Sequence, residues 1–147
     1  MSDSLWKKPD DVHELNHICE RTIHAALGIR FTELGPDSIS AEMPVDERTK
    51  QPFGVLHGGA SVVLAESLGS MASYLALEGA DRAAYGIEVN ASHLKAARNG
   101  TVTGTARAVR IGRGLHVWQI EVRDGTGDLV CLVRLTVTIR ETKARPA

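Results

Sequence analysis

Between residues 60 and 77 the chain runs Ala-Ser-Val-Val-Leu-Ala-Glu-Ser-Leu-Gly-Ser-Met-Ala-Ser-Tyr-Leu-Ala-Leu, with Glu66 as its single charge. That length exceeds an ordinary strand, and its small and aliphatic residues predict a helix closing at Glu78-Gly79. A helix apolar on nearly all sides is buried, so the rest of the chain must wrap it. A carboxylate in its middle is expensive unless it has a task. The helix is entered through Gln51-Pro-Phe-Gly-Val-Leu-His57-Gly58-Gly59. There, glycines leave backbone N–H groups open to a ligand oxygen. A buried carboxylate with an electrophilic helix end suggests acyl transfer or hydrolysis.

With 147 residues, the chain makes one domain spanning 1–147. A net charge of −1 gives no overall basic field for nucleic acid. Cys19 and Cys131 sit in unrelated segments and read as buried reduced thiols. The N-terminal residues lack the apolar stretch of a secretion signal, and Glu66 and Gly69 interrupt the longest apolar runs. The expectation is a cytoplasmic protein without a membrane span.

Pro9-Asp-Asp opens a first helical pattern, carried by Val12, Leu15, Ile18, Ile23 and Leu27 and stopped at Gly28. Residues 1–27 are thus an N-terminal helical segment. A short strand follows at Ile29–Leu34, and after Gly35-Pro36-Asp37 the residues Ile39, Ala41, Met43 and Val45 alternate with polar ones. Beyond Gly79 the pattern becomes strand at about Ala83–Leu94, Thr101–Val109, Leu115–Arg123 and Leu129–Arg140, separated by glycine-containing turns. Residues 141–147 read as a frayed tail. The economical fold is α+β, with an antiparallel sheet wrapped around one long central helix.

Glu66 reads as a functional carboxylate more readily than as a salt-bridged or surface residue, because its neighbours are apolar. Ser70, one turn later, shares its face and either packs or binds the attacking water or the carboxylate. His57 is an N-terminal cap, a packed loop residue or a participant in catalysis. The Gly58 amide can hold an oxyanion. Gln51 either orients water or substrate or is a solvated loop residue. His13, His17 and His24 share a helical stripe, lack carboxylate or cysteine partners, and read as a solvated face rather than a metal site. No Gly-x-Ser-x-Gly elbow is present. The segment Gly112-Arg113-Gly114 is too short for a nucleotide loop of the P-loop kind, yet a turn with Arg110 and Arg113 can attract a phosphate at modest specificity.

The run Pro44-Val-Asp-Glu-Arg-Thr-Lys-Gln-Pro-Phe-Gly-Val-Leu-His-Gly-Gly-Ala-Ser-Val-Val-Leu-Ala-Glu-Ser-Leu-Gly-Ser70 resembles the hotdog-fold acyl-CoA thioesterases, specifically their glutamate-using, aroyl-type branch. The likeness extends from about residue 28 to 140. It implies hydrolysis of acyl-CoA, with aromatic acyl groups favoured; the Glu66 and Gly58 pair and the lack of a metal-ligand cluster in the sequence lead us to expect no metal or organic cofactor. Glu66 matches the nucleophile or general base, Gly58 the amide that polarises the thioester carbonyl, and Gln51, His57 and Ser70 the supporting residues. Gly86, His93, Leu94 and Lys95, and the turn Arg110, Ile111, Gly112, Arg113, Gly114, match positions along the CoA arm. The chain departs from its look-alikes at Gly114-Leu115, where they tend to carry polar or basic residues.

A thioester's thiolate leaves readily, so one carboxylate and one oxyanion donor are nearly sufficient. Whether Glu66 attacks directly or deprotonates water stays open. Gly58 and Glu66 are about 12 Å apart on one helix, too far to act on one carbonyl. That spacing calls for two chains sharing each site, and the resemblance implies a homodimer paired again into a homotetramer. Two rivals remain: a thioesterase acting on groups tethered to a carrier protein, and a non-catalytic acyl-CoA-binding module. A hotdog dehydratase, with His57 paired to the acid, is a third.

Overall fold

The computed structural model describes residues 4–8 and 11–143. The first helical pattern forms as two short helices, α1 (Val12–Ile18) and α2 (Ile23–Leu27), rather than one. The break has local causes. Asp11 caps α1 by accepting from the Glu14 N–H, Cys19 ends it, and Thr22 caps α2 anew. Gly28 closes α2 in the left-handed region, φ 72°, where a side chain would be strained. Pro9 and Asp10, expected to open the first helix, lie outside the described residues.

Strands β1 (Arg30–Leu34) and β2 (Ser38–Pro44) follow, then the long helix α3 (Gly58–Ala76) and strands β3 (Arg82–His93), β4 (Thr101–Ile111), β5 (Leu115–Arg123) and β6 (Leu129–Glu141). They form one six-stranded sheet in the order β1-β2-β4-β5-β6-β3, with every neighbouring pair antiparallel. The expected α+β fold is therefore present, with the sheet curled round α3. Helix α3 stops before Gly79, which instead turns the chain into β3 with φ 74°. The tail is ordered further than expected: Glu141 ends β6, and the Thr142 N–H donates to the Asp81 carbonyl. Residues 144–147 lie outside the described part.

Period-two alternation places Trp118, Ile120 and Val122 of β5 and Val133, Leu135 and Val137 of β6 on the inner face. They meet Leu64, Leu68, Ala72 and Leu75 of α3. The helix lies close because β4 carries Gly104 beneath it; a Cβ there would sit 2.6 Å from Leu68 Cδ1. A buried polar contact is built into this core. The Trp118 indole donates to Ser73 Oγ at 2.7 Å, and Ser73 lies 3.0 Å from His116 Nδ1. Once Ser73 accepts from Trp118, its own O–H is free to donate to the imidazole.

The helix is not enclosed on all sides. Val62, Val63, Glu66, Ser67, Ser70 and Met71 form a half-buried stripe, and Tyr74 is exposed. Strand β3 is a free edge of twelve residues with Tyr85 and Ile87 more than half exposed. No helix among the described residues is long and apolar enough to cross a membrane.

Candidate active site

The approach to α3 is a hydrogen-bonded loop. The Thr49 hydroxyl donates to the Pro44 carbonyl at 2.7 Å, and the Thr49 carbonyl accepts from the His57 N–H at 2.8 Å. Leu56 N–H donates to Ala97 O, and Lys50 bridges to Leu56. Gln51 turns the loop by accepting the Phe53 N–H on its amide oxygen, which leaves its NH2 as the available donor. His57 caps α3 by accepting the Gly59 N–H on Nδ1 at 2.8 Å. A neutral ring in this arrangement carries its proton on Nε2. Among the described residues, the Gly58 N–H has no partner. It is the one amide at this helix mouth left for a ligand oxygen after the His57 cap takes its neighbour.

A recess of about 400 Å³ lies at this point, lined by Gln51, Gly58, Ser61, His93, Leu94 and Lys95 among others. Four segments of the chain thus bring together five of the residues singled out from the sequence. A Cβ at 58 would come within 2.8 Å of His93 Nε2, so the exposed His93 ring would have to shift.

Glu66 is elsewhere. Eight residues further along α3, it is half-buried and its carboxylate has no hydrogen bond or ion pair among the described residues. The expected salt-bridge alternative is absent from its surroundings, and so is full burial. The carboxylate lies over Gly86 of β3; a Cβ at 86 would be 2.6 Å from Glu66 Oε1. Gly86 therefore sits beneath the carboxylate, at a register shift in the β3–β6 ladder. Ser70 makes no hydrogen bond to Glu66. It lines a different recess with Ser67, Met71, Tyr74, Ile18 and His24.

The residues expected along the CoA arm separate into two groups. His93, Leu94 and Lys95 lie at the Gly58 recess, while Arg110, Ile111, Gly112, Arg113 and Gly114 form the β4–β5 turn. Strand β5 runs between these ends, about 27 Å at ~3.4 Å per residue. Near that turn a recess of about 450 Å³ is lined by Arg82, Arg113, Gly114, Ile139 and Glu141. Arg82 was not singled out from the sequence; its guanidinium donates to the Arg113 carbonyl. Lys95 is held by two carboxylates, Asp124 at 2.7 Å and Asp128 at 2.5 Å. Hydrogen bonding to Asp124, then Asp128, pushes the Lys95 ammonium up from its ordinary value, and the same contact holds Asp124 well below the usual carboxylate range.

The histidine stripe does not survive. His13 and His17 are exposed on α1 beside Glu14 and Glu20, whereas His24 turns inward on α2. Thr22, three residues before Ala25 and six before Gly28, was the legible sign of a separate second helix that redirects it. Among the described residues, no His, Cys, Asp and Glu group could hold a metal ion.

A six-stranded antiparallel sheet wrapped around one long helix is the hotdog fold. The sequence profile of the thioesterase superfamily matches residues 53–131, so the chain belongs to that family and is a thioester hydrolase. It is 51% identical over 136 residues to a putative esterase of Pseudomonas aeruginosa, covering 92% of this chain and 94% of that one. To the 1,4-dihydroxy-2-naphthoyl-CoA hydrolase of Escherichia coli it is 49% identical over 135 residues, covering 92% and 98%. The crystal structure of a thioesterase from Haemophilus influenzae superposes with a TM-score of 0.91 at 45% identity, covering 93% of this chain and 95% of the other.

Proposed function

We propose that the protein hydrolyses acyl-CoA thioesters, aromatic ones above all, in sites shared between two copies of the chain. The observation that carries this reading is the separation of a free Gly58 amide from a bare Glu66 carboxylate on one helix. Glu66 lies against Gly86, and Gly58 lies against His93. An antiparallel pair of β3 edges that sets Gly86 opposite the partner's His93 brings Glu66 to the partner's Gly58. The free β3 edge and its exposed Tyr85 and Ile87 favour such pairing. The same pairing draws the Lys95 end of one chain toward the Arg82–Arg113 end of the other, where one extended CoA arm could touch both. Exposed Val109, Ile111 and Leu115 offer a further contact for pairing dimers into a tetramer.

In this site the Gly58 N–H, with Gln51 and His57 around it, receives the thioester oxygen. Glu66 of the other chain either takes a proton from water or attacks the carbonyl carbon itself. The oxygen becomes an oxyanion held by Gly58, the carbon–sulfur bond breaks, and CoA leaves as thiolate. If an anhydride forms, water then cleaves it to the free acid. The aromatic preference is supported by the naphthoyl-CoA hydrolase relative at 49% identity. Buried unpaired Cys19 and Cys131 accord with a cytoplasmic setting.

Thiol release from benzoyl-, acyl- and carrier-protein-linked thioesters tests the substrate class. Faster turnover of the carrier-linked forms would replace the CoA reading. Sharing is tested by complementation between Glu66→Ala and Gln51→Ala. Random mixing makes half the dimers mixed, each with one intact site, so about a quarter of the activity should return. No recovery, with mixed dimers demonstrated, would remove the shared site.

A further inference from the structure

The mouth of α3 offers a thioester oxygen one backbone donor. The Gly58 N–H is free, whereas its neighbour, the Gly59 N–H, is taken by His57. An oxygen that gains a full charge accepts more than one hydrogen bond, and a hole with a single donor leaves it undersupplied. A buried hydroxyl that nothing else in the protein uses stands beside that amide.

Among the described residues five polar side chains are buried: Ser40, Thr49, Ser61, Ser73 and His116. Four of them have partners. Ser40 meets Thr105 at 2.8 Å, Thr49 donates to the Pro44 carbonyl, and Ser73 lies between Trp118 and His116. Ser61 is only 1% exposed and has no hydrogen bond from its hydroxyl. The usual outlet of a helical serine is the carbonyl one turn back. Here that is the His57 carbonyl, which already accepts from the N–H groups of Ala60 at 3.0 Å and Ser61 at 3.3 Å. Buried polar groups are almost always satisfied, so an exception calls for a missing partner. His24 Nε2 is the sole side-chain nitrogen or oxygen both sealed from solvent and unpartnered among the described residues. The Ser61 oxygen is therefore not sealed. Its small opening faces the recess that Ser61 lines together with Gln51, Gly58 and His93.

Helix geometry directs the hydroxyl to the amide. Ser61 comes three residues after Gly58, on the same face and about 4.5 Å further along the axis. Side chains on a helix lean toward its N-terminus, so Oγ reaches back toward the Gly58 N–H. An oxygen set at the helix mouth can meet both donors.

We propose that Ser61 is a catalytic residue whose hydroxyl gives the thioester oxygen its second hydrogen bond. This rests on the thioesterase reading above. As the nucleophile bonds to the carbonyl carbon, the π pair moves onto oxygen, and Gly58 and Ser61 both donate to it. The pair then returns, the carbon–sulfur bond breaks, and CoA leaves as thiolate. Ser61 keeps its proton throughout. The oxygen carries its full charge only between these steps, so the contact speeds the reaction more than it aids binding.

The test measures kcat, KM and Tm on benzoyl-CoA for the native protein, Ser61→Ala and Ser61→Thr. Binding of S-benzyl-CoA, a thioether without the carbonyl, is followed alongside. Ser61→Ala should lower kcat about 10²-fold and leave KM and thioether affinity within about twofold of native. Its Tm should not fall, because alanine favours a helix and no hydrogen bond within the protein is lost. A serine that only supported the fold would lower Tm instead. Ser61→Thr keeps the hydroxyl and should recover at least tenfold of the lost rate; no recovery in a folded variant would overturn the proposal. Native-like kcat in Ser61→Ala would overturn it too and leave the thioesterase reading standing. An acyl group found covalently on Ser61 during turnover would also overturn it, by making the serine a nucleophile. A native protein inactive on every thioester would remove the thioesterase reading and this inference together.

Discussion

The mouth of α3 and its middle are built on opposite terms. Around Gly58, backbone bonds from Thr49, Gln51, Val55, Leu56 and Ala97 fix the loop, and His57 caps the helix. Around Glu66 nothing polar is fixed: the carboxylate faces a glycine across a half-open stripe. An oxyanion donor is useful only if rigid, because its value comes from being oriented before charge develops. A carboxylate that must serve as nucleophile or base is better left without hydrogen bonds that would hold its charge in place. In the proposed dimer each region completes the other.

The largest effect should come from the bare side. Glu66→Gln keeps the volume and removes the base or nucleophile, so kcat should fall by about 10²–10⁴-fold with little change in KM. Stability should hardly move, since Glu66 makes no hydrogen bond to lose. Turnover close to native would take Glu66 out of the mechanism. Gly86→Ala asks whether the carboxylate's position matters as much as its chemistry. The new Cβ would lie 2.6 Å from Glu66 Oε1, so the side chain must shift. A displacement of about 1 Å can cost as much as 10²-fold, and a drop of that order in kcat is expected. An unchanged kcat would mean that Glu66 is free to reposition and that its seat over Gly86 is incidental.

The rigid side should fail differently. His57→Ala removes the acceptor for the Gly59 N–H, and losing such a cap costs about 1 kcal/mol of stability. Denaturant unfolding measures that loss. If His57 only holds the helix mouth, kcat should fall much less than in Glu66→Gln. A fall of equal size would put the imidazole in the chemistry and erase the proposed contrast.

The sequence made the architecture readable because its signals are local and strong: a long apolar run, four alternating segments, and turn residues between them. It also marked Gly58 and Gln51 by their spacing around a helix entrance. It misjudged α3 as closed, because composition reports how apolar a helix is and not whether a strand edge covers all of it. It misread His24 for a related reason. A stripe drawn through Val12–Leu27 assumes one continuous helix, and the break at Cys19–Thr22 turns the last histidine inward. Lys95 was visible as a cation, but Asp124 and Asp128 reach it only once β5 and β6 pair. Long-range pairing of this kind leaves no trace in residue order.

The smallest effect expected lies behind the site, in the core that holds the middle of α3. His116 is only 2% exposed and is bonded to Ser73, four residues from Gly69 on the same helix. Burial first, and the Arg82 charge second, lower its pKa below the ordinary 6.5. The unfolded chain therefore binds this proton at a higher pH than the folded one. Stability is fully present above about pH 6.5 and is lost as pH falls through the lowered folded value. His24 is shifted the same way and adds to the trend. Asp46 and Asp124 are held low by Arg48 and Lys95, so their losses begin only in the acid range of carboxylates, well below this window. Thermal unfolding between pH 7 and 5 should show a falling Tm in the native protein. His116→Asn cannot titrate and can still bond to Ser73, so its Tm should fall less steeply over the same interval. Glu66→Gln should retain the full native slope, because the bare side of the helix contributes nothing to that linkage. Identical slopes in native protein and His116→Asn would show that the core histidine does not govern acid sensitivity.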